Sequence, residues 1–296
     1  MMKVKGMDVK GAFVVITGGT DGIGAATARE LHQRGAHVTI IGRSREKGAE
    51  LVAQSAAVVQ GGQFRFIPAD LSLMANIEDV VRQLQQALPR IDLLIHCVGI
   101  LIAHTEYTTE GIEKDFAVSY LSRFILTRDL VAKGLLSAGG LMLNLSASSP
   151  KIPKMARLEF GDLAVVERRV GMQSHGQAQM ANDLFSMEAA QRWGLAVIGY
   201  GPGSVDTKIR RELPQWLVKI GQLFFLGSTR KPADVGQELA EIITTQTPPS
   251  GEAWFFDRTG RFVPDPFVTD QQRRFELWAT SEALAAKALR AKALLI

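Results

Sequence analysis

The sequence contains a single cysteine, Cys97, and this scarcity rules out an internal disulfide bond. A chain without disulfides suits a reducing compartment, so we expect a cytoplasmic location. Long hydrophobic runs are also lacking, because the longest, residues 91–103, has 13 residues and contains Asp92 and His96. A run of that length is too short to span a bilayer, and no apolar signal segment precedes the first predicted strand. We therefore expect no integral membrane segment.

Charge of one sign is also scarce. The net charge is only +4 at pH 7 and the basic residues are scattered, so we expect no nucleic-acid partner. No cluster of histidine, cysteine and carboxylate residues has the spacing of a metal site, so we expect no metal. Repeats and low-complexity linkers are absent as well. Apolar residues make up 46% of the 296 residues, which is enough for a substantial core in one domain spanning residues 1–296.

Short apolar runs alternate with amphipathic segments along the chain. Near-continuous apolar strands separated by helices are typical of a parallel sheet that is covered on both faces. The fold class is therefore α/β, a doubly wound (Rossmann) sheet of about seven strands whose ligands bind at the carboxyl ends of the strands. The predicted strands are residues 13–19, 37–43, 63–70, 91–99, 141–147, 195–203 and 252–257, with helical segments such as 73–88 and 111–134 between them.

The first predicted strand runs into the glycine-rich stretch "TGGTDGIG", residues 17–24. Glycines at 18, 22 and 24 allow a tight turn, a close approach to a pyrophosphate, and a helix whose amino end faces that anion. The second strand ends at Arg43, where an NAD site usually has a carboxylate and where a cation favours a 2′-phosphate. The sequence thus predicts a nucleotide site that prefers NADP(H), unless Arg43 is only a solvated arginine at a strand end.

Four motifs in the expected order resemble the short-chain dehydrogenase/reductase family: "TGGTDGIG", the Asp70-Leu71 pair, "PGSVDT" at 202–207, and "HGQAQMAN" at 175–182. The stretches "LEFGDLAVVERRVGMQSHGQAQMAN" and "GEAWFFD…DQQRRFELWATSEAL" are similar to the retinol-dehydrogenase-like branch, which handles hydrophobic alcohols and carbonyls. The resemblance implies these cofactor contacts: Gly18, Thr20, Asp21, Gly22, Ile23, Gly24, Arg43, Ser44, Asp70, Leu71, Gly99, Pro202, Gly203, Val205 and Thr207.

The same resemblance shows that the catalytic residues of the family are replaced. The family uses a tyrosine as proton donor, a lysine four residues later, a serine that binds the carbonyl, and an asparagine that completes a proton relay. The tyrosine position holds His175, the lysine position Gln179, the asparagine position Ser119, and the serine position Ala147, with Ser148 next to it. With all four positions changed, the standard proton relay cannot operate.

The replacements retain some chemical capacity. A histidine at 175 can donate or accept a proton, because its unperturbed pKa of about 6.5 is close to neutrality. Gln179 can hydrogen-bond ribose hydroxyls, and Ser148 or Ser119 can orient a carbonyl. The alternative is that His175 is an inert remnant of a lost site. His96 and Cys97 are expected to be buried strand-end residues without a catalytic role.

Two segments bear on the substrate and on partners. Residues 208–230 stand where the family has its substrate-covering segment, and their apolar residues predict a small hydrophobic substrate. Plain core, an oligomer contact or a shallow membrane-surface contact are alternatives for the same residues. The helical tail, 265–296, has an apolar stripe that must be buried on its own domain or on a second subunit. The family resemblance favours a homo-oligomer.

Three functions remain open from the sequence. The first, which we favour by a narrow margin, is non-redox acid–base catalysis by His175, such as cyclisation, elimination or isomerisation of an apolar carbonyl compound. In this case NADP(H) would be structural or vestigial. The second is NADPH-dependent carbonyl reduction or alcohol oxidation with His175 in place of the tyrosine. The third is a non-catalytic nucleotide-binding regulator.

Overall fold

The computed structural model describes residues 6–57, 62–102, 104–146, 158, 160, 171–207 and 229–293, with main chain alone at 171–173 and 290–293. Within these residues the chain forms one eight-stranded sheet in the order β3-β2-β1-β4-β5-β6-β7-β8. All neighbouring strands are parallel except β7 and β8, which are antiparallel. The strands are β1 (Phe13–Thr17), β2 (His37–Gly42), β3 (Phe64–Pro68), β4 (Leu93–His96), β5 (Leu141–Leu145), β6 (Ala196–Gly201), β7 (Ala253–Asp257) and β8 (Gly260–Phe262).

Helices cover both faces of the sheet. In the described residues they are α1 (Gly22–Gln33), α2 (Arg45–Ser55), α3 (Ala75–Ala87), α4 (Lys114–Phe116), α5 (Ser122–Ala132), α6 (Gly171–Trp193), α7 (Pro232–Thr245), α8 (Pro266–Thr269) and α9 (Gln271–Ala293), with a π-helical turn at Ala117–Leu121. Because successive strand residues point to opposite faces, Val15 belongs to one apolar core, and Val14 and Ile16 to the other. This arrangement confirms the predicted doubly wound fold.

The strand prediction missed one element. All seven predicted strands are present with shorter bounds, and β8 is an additional three-residue strand paired with the end of β7. It has no apolar run to mark it, since its residues are mostly exposed. The turn before it was a usable signal, because the Asp257 side chain accepts a hydrogen bond from the Thr259 amide at 2.7 Å, which is typical of Asp in turns.

The last long helix, α9, packs on its own domain. The Tyr120 hydroxyl lies 2.7 Å from the Ser281 hydroxyl, and Trp278 packs edge-on against the rings of Phe124 and Trp193. Leu277, Ala285 and Ala288 of the tail are therefore buried against its own domain, the first of the two alternatives from the sequence, while Phe275 and Leu289 stay exposed. None of the helices in the described part of the chain has the length and apolar character needed to cross a membrane.

Candidate functional site

The candidate site lies where the strand order reverses. Strands β1 and β4 are neighbours at the centre of the sheet, and the chain leaves them toward opposite sides. Their carboxyl ends are aligned, because Thr17 pairs with His96 in the parallel register. In an open parallel sheet such a reversal leaves a crevice beyond the strand ends, and ligands bind there.

The glycine-rich loop after β1 is packed too closely for side chains. Gly18 has a φ of +67°, and a Cβ atom there would lie 2.7 Å from the amide nitrogen of Val98. A Cβ atom at Gly24 would lie 2.4 Å from the carbonyl oxygen of Gly18. The loop then turns directly into α1, whose first amide, that of Gly22, donates to the Asp21 carboxylate at 2.8 Å. The loop is thus a tight turn into a helix whose amino end lies at the crevice, a backbone form that pyrophosphate sites use; we refer to this loop as the cradle.

The structure brings the loop after β6 against this cradle. A Cβ atom at Gly22 would lie 3.2 Å from the Thr207 methyl group, so "PGSVDT" and the glycine-rich loop are in contact. Gly203 has a φ of +68° and is exposed, whereas Val205 is buried and forms a β-bridge with Arg230. The predicted cofactor residues of these two loops therefore meet at one edge of the sheet.

The predicted cofactor residues after β2 and β3 lie along the same edge. Arg43 is exposed, and the Ser44 side chain caps α2 by accepting from the amide of Lys47 at 3.3 Å. The Asp70 carboxylate accepts from the Ser72 amide at 2.9 Å, while Leu71 is buried in the core. The remaining predicted residues Thr20, Ile23, Gly99 and Pro202 are half-buried.

At the catalytic position, His175 pairs with a carboxylate that the sequence analysis did not identify. The Nδ1 atom of His175 lies 3.2 Å and 3.1 Å from the two carboxylate oxygens of Asp115. Asp115 has no exposed surface, whereas the His175 side chain is 23% exposed. Because a carboxylate oxygen accepts, these partners assign a proton to Nδ1, and Nε2, which lies beside the Gln179 side chain, is the ring nitrogen left for proton transfer.

Ser119 and Gln179 complete this cluster from two sides. The Ser119 hydroxyl donates to Asp115 Oδ1 at 2.6 Å and accepts from the Ile100 amide at 3.2 Å. Because Ser119 is fully buried, it contacts the carboxylate and is not open to a ligand. The Gln179 side-chain nitrogen lies 3.3 Å from His175 Nε2. The three described candidates are therefore brought together around Asp115, while Ser148 and Ala147 lie outside the described residues.

A second buried carboxylate stands beside the pair. Glu113 accepts from the amides of Asp115 at 3.1 Å and Phe116 at 2.7 Å, and so caps α4. Burial raises the pKa of Glu113 to about 6, and the neighbouring Asp115 charge acts in the same direction. The cap holds the backbone of Asp115 at the position from which its carboxylate reaches His175.

His96, at the end of β4, is buried as expected, whereas the next residue, Cys97, is only half-buried. His96 is fully buried and bonds to the Thr127 hydroxyl at 2.8 Å, and burial lowers its pKa well below the ordinary value. Burial likewise raises the pKa of the Cys97 thiol to about 12. Both side chains are therefore neutral near pH 7. Among the described residues no group of three or more His, Cys, Asp or Glu side chains could hold a metal ion.

Sequence reasoning missed Asp115 because its partner is 60 residues away. A local signal was present, since Asp115 and Ser119 are four residues apart in a helical segment and so share one face. Glu113 was detectable as a carboxylate just before a helix start. Neither signal could indicate that the face meets His175.

Comparisons with known proteins agree with this architecture. Residues 12–156 match the family model described as short chain dehydrogenase. Retinol dehydrogenase 12 of Mus musculus is 33% identical over 69% of this chain, and the match spans 65% of the mouse protein, just under two thirds of its length. The putative daunorubicin C-13 ketoreductase DnrU of Streptomyces sp. (strain C5) is 29% identical, with 92% of each chain covered.

A solved structure has the same fold. A short chain dehydrogenase from Burkholderia cenocepacia J2315, determined in complex with NADP, superposes with a TM-score of 0.64 at 22% identity, covering 85% of this chain and 98% of that one. The topology, the glycine-rich cradle and the family match lead to one assignment. The chain is similar to the short-chain dehydrogenase/reductase superfamily and, within it, to the retinol-dehydrogenase-like branch.

Proposed function

We propose that this protein binds NADP(H) and interconverts a small hydrophobic carbonyl compound and its alcohol, with the Asp115–His175 pair as its acid–base catalyst. The observation that carries the proposal is the contact of 3.1 Å between His175 Nδ1 and the buried Asp115 carboxylate. The sequence favoured non-redox chemistry only because the family's proton relay is lost. A carboxylate–histidine pair supports a different relay, so we now rank redox chemistry first.

The pair can do the work of the missing tyrosine and lysine. A carboxylate at Nδ1 fixes the orientation of the imidazole ring and stabilises its protonated form. Protonated His175 can then donate from Nε2 to a carbonyl oxygen, and neutral His175 can accept the proton in the reverse direction. Acid–base assistance of this kind is worth ~10²–10⁴-fold in rate. When bound, the cofactor supplies or accepts the hydride.

The cofactor assignment rests on the glycine-rich cradle and on Arg43. Gly18 and Gly24 are packed against backbone atoms in a way that only glycine allows, beside the amino end of α1. Arg43 is exposed at the end of β2, where a guanidinium can bind a 2′-phosphate. The NADP complex of the Burkholderia cenocepacia relative supports the same choice.

The substrate class rests on two relatives and on the sequence. The relatives are named for a retinol and for a daunorubicin ketone, so their names indicate an alcohol or a carbonyl as the reacting group. Residues 208–230 carry the apolar residues expected to cover such a substrate, although 208–228 lie outside the described residues. The homo-oligomer and the cytoplasmic location remain predictions, which sedimentation and fractionation would test.

Non-redox proton transfer is the second candidate, favoured by Gln179. A neutral amide lies 3.3 Å from His175 Nε2, where the family has a lysine charge beside the cofactor. The same Asp115–His175 pair could isomerise or cyclise a carbonyl compound without hydride transfer, and the bound cofactor would then be structural or vestigial.

One labelling experiment separates the candidates. Apolar aldehydes, ketones and quinones are incubated with NADPH deuterated at the transferable position, and the products are analysed by mass spectrometry. Deuterium in an alcohol product supports the redox proposal. Conversion without NADPH consumption supports the non-redox candidate and contradicts the redox one. NADPH binding without any conversion would favour the non-catalytic regulator.

A variant pair then tests the catalytic residue. His175→Phe should lower turnover ~10²–10⁴-fold while NADPH binding is retained, because phenylalanine keeps an aromatic ring but has no nitrogen that can donate or accept a proton. His37→Phe is the matched control, since His37 lies at the start of β2 and its ring stacks on Phe13. Unchanged turnover in His175→Phe would remove His175 from the proposed reaction.

A further inference from the structure

A buried arginine lies beneath the candidate site. Arg123, on α5, is only 3% exposed, and its guanidinium donates to the side-chain oxygen of Asn144 at 2.6 Å and to the carbonyl oxygens of Leu145 and Val98. These three acceptors are neutral. Burial lowers the pKa of Arg123 to about 10, so the side chain remains charged at neutral pH. A buried cation held by neutral groups is costly for folding, which raises the question of its use.

The acceptors of Arg123 belong to two loops of the site. Val98 follows β4 and Leu145 ends β5, and both lie at the carboxyl edge of the sheet where the crevice forms. The amide of Val98 is also the group against which Gly18 of the glycine-rich loop packs. One planar guanidinium with several donors can hold two such carbonyls at a fixed separation, which a lysine cannot do. Arg123 therefore connects the floor of the crevice to the cofactor cradle.

A continuous series of buried hydrogen bonds also joins Arg123 to the catalytic pair. Because Asn144 Oδ1 accepts from Arg123, its amide nitrogen faces α6 and donates to the carbonyl oxygen of Asn182 at 3.2 Å. The Asn182 amide nitrogen donates to the carbonyl oxygen of Ser119 at 2.8 Å. Ser119 in turn donates to Asp115 at 2.6 Å. At Asn182 and at Ser119 the series passes from the main-chain carbonyl to the side chain of the same residue. Each bond therefore holds in place the residue that makes the next bond, and the series ends at the carboxylate that contacts His175.

We infer that Arg123 is the positioning residue of this site, which acts through Asn144, Asn182 and Ser119 to hold the Asp115 carboxylate against His175 and through Val98 to hold the cofactor cradle. It is also a fixed positive charge beneath a site whose lysine position carries Gln179. The inference rests on the proposed role of His175 in proton transfer.

The test uses NMR of protein labelled with ¹⁵N-histidine, because the hydrogen bond between His175 Nδ1 and Asp115 can be observed without any substrate. The Nδ1 proton resonance of His175 is assigned by its loss in His175→Phe. In Arg123→Met this resonance should be lost or strongly shifted, and in Arg123→Lys it should be only partly retained. Asn182→Ala should change the same resonance, although it leaves the Arg123 charge in place.

The matched control is Tyr120→Phe. Tyr120 is fully buried just before α5, and its replacement by phenylalanine removes a hydrogen bond of 2.7 Å to Ser281. Tyr120 takes no part in the series of hydrogen bonds from Arg123 to Asp115. Its His175 resonance should remain as in the original protein. NADPH affinity should fall about tenfold in Arg123→Met and stay unchanged in Tyr120→Phe.

A His175 resonance that is unchanged in folded Arg123→Met would overturn the inference. If that variant does not fold, Arg123→Lys and Asn182→Ala decide, and unchanged resonances in both would equally refute it. Failure of the proposed function looks different. The proposed function fails if the protein does not bind NADPH or does not transfer hydride. The NMR experiment needs neither NADPH nor substrate, so it tests the coupling between Arg123 and the His175 resonance independently.

Discussion

The Nδ1 atom of His175 lies 3.1 Å from Oδ2 of Asp115, although 60 residues separate them along the chain. Asp115 lies on a three-residue helix and His175 near the start of a long one, α6. The contact converts an isolated histidine at the family's tyrosine position into a carboxylate–histidine pair. It also gives Ser119 a role as donor to the carboxylate, which differs from the carbonyl-binding role considered from the sequence.

Asp115→Asn should lower kcat/KM by ~10²-fold or more, because a neutral amide neither fixes the Nδ1 proton nor stabilises protonated His175. The measurement is steady-state kinetics with the substrate found in the labelling experiment. Asp79→Asn is the control, since Asp79 is exposed on α3 and pairs only with Arg82 among the described contacts. Equal kinetics for both variants would show that the carboxylate has no catalytic effect.

Gly24→Ala should abolish NADPH binding and lower the free energy of unfolding by about 1–3 kcal/mol, because the new Cβ atom would lie 2.4 Å from a backbone oxygen of the cradle. Gly134→Ala separates the two effects. Its φ is +70° but no atom lies within 4 Å of the new Cβ, so it should cost about 1–2 kcal/mol and leave NADPH binding intact. Isothermal titration and denaturant unfolding measure both quantities. Normal NADPH binding by Gly24→Ala would contradict the assigned cradle.

Glu113 should make stability depend on pH. Its folded-state pKa is raised by burial from 4.5 to about 6, so between these pH values the folded protein binds more protons than the unfolded chain. The contribution of Glu113 to the free energy of unfolding, about 2 kcal/mol, should therefore be fully present well below pH 4.5 and be lost as pH rises well above 6. Glu113→Gln should remove this pH dependence, and Glu276→Gln, at an exposed position on α9, should retain it. Identical pH profiles of chemical denaturation for Glu113→Gln and the original protein would contradict the assignment.

Cys97 should be almost unreactive in the folded protein. With a thiol pKa of about 12, the thiolate population at pH 8 is smaller than that of an ordinary cysteine by about three orders of magnitude. Since Cys97 is the only cysteine, alkylation by iodoacetamide followed by mass spectrometry reports on this site alone. Reaction should become fast in denaturant. Rapid alkylation of the native protein would show that the pKa of the Cys97 thiol is not raised.

Arg43→Leu should weaken NADPH binding about 10–100-fold and leave NADH binding unchanged, because only NADPH carries the 2′-phosphate that the guanidinium would bind. Fluorescence titration with both cofactors gives the ratio. Arg82→Leu, which removes an exposed arginine of α3, is the control for net charge. Equal losses for NADPH and NADH would contradict the role of Arg43 in cofactor choice.

The sequence by itself determined the fold and the tight glycine-rich loop after β1. Buried parallel strands require continuous apolar runs, and seven of them were visible, because that requirement is local to each segment. The glycines at 18 and 24 are likewise imposed locally, by a turn too tight for a Cβ atom. Only β8 was not predicted, since a three-residue edge strand buries too little apolar surface to produce a recognisable hydrophobic pattern.

Tertiary structure alone decided which groups the residues at the altered catalytic positions contact. His175 and Gln179 could be identified from the sequence as substitutions at family positions. Asp115 could be identified only from the structure, in which α4 packs against α6 and the Asp115 carboxylate contacts the His175 imidazole. Nothing in the sequence distinguishes Arg123 from the other helical arginines, but the structure buries it against Asn144 of β5. Hydrogen bonds between distant segments depend on how helices pack, and helix packing leaves no fixed spacing in the sequence.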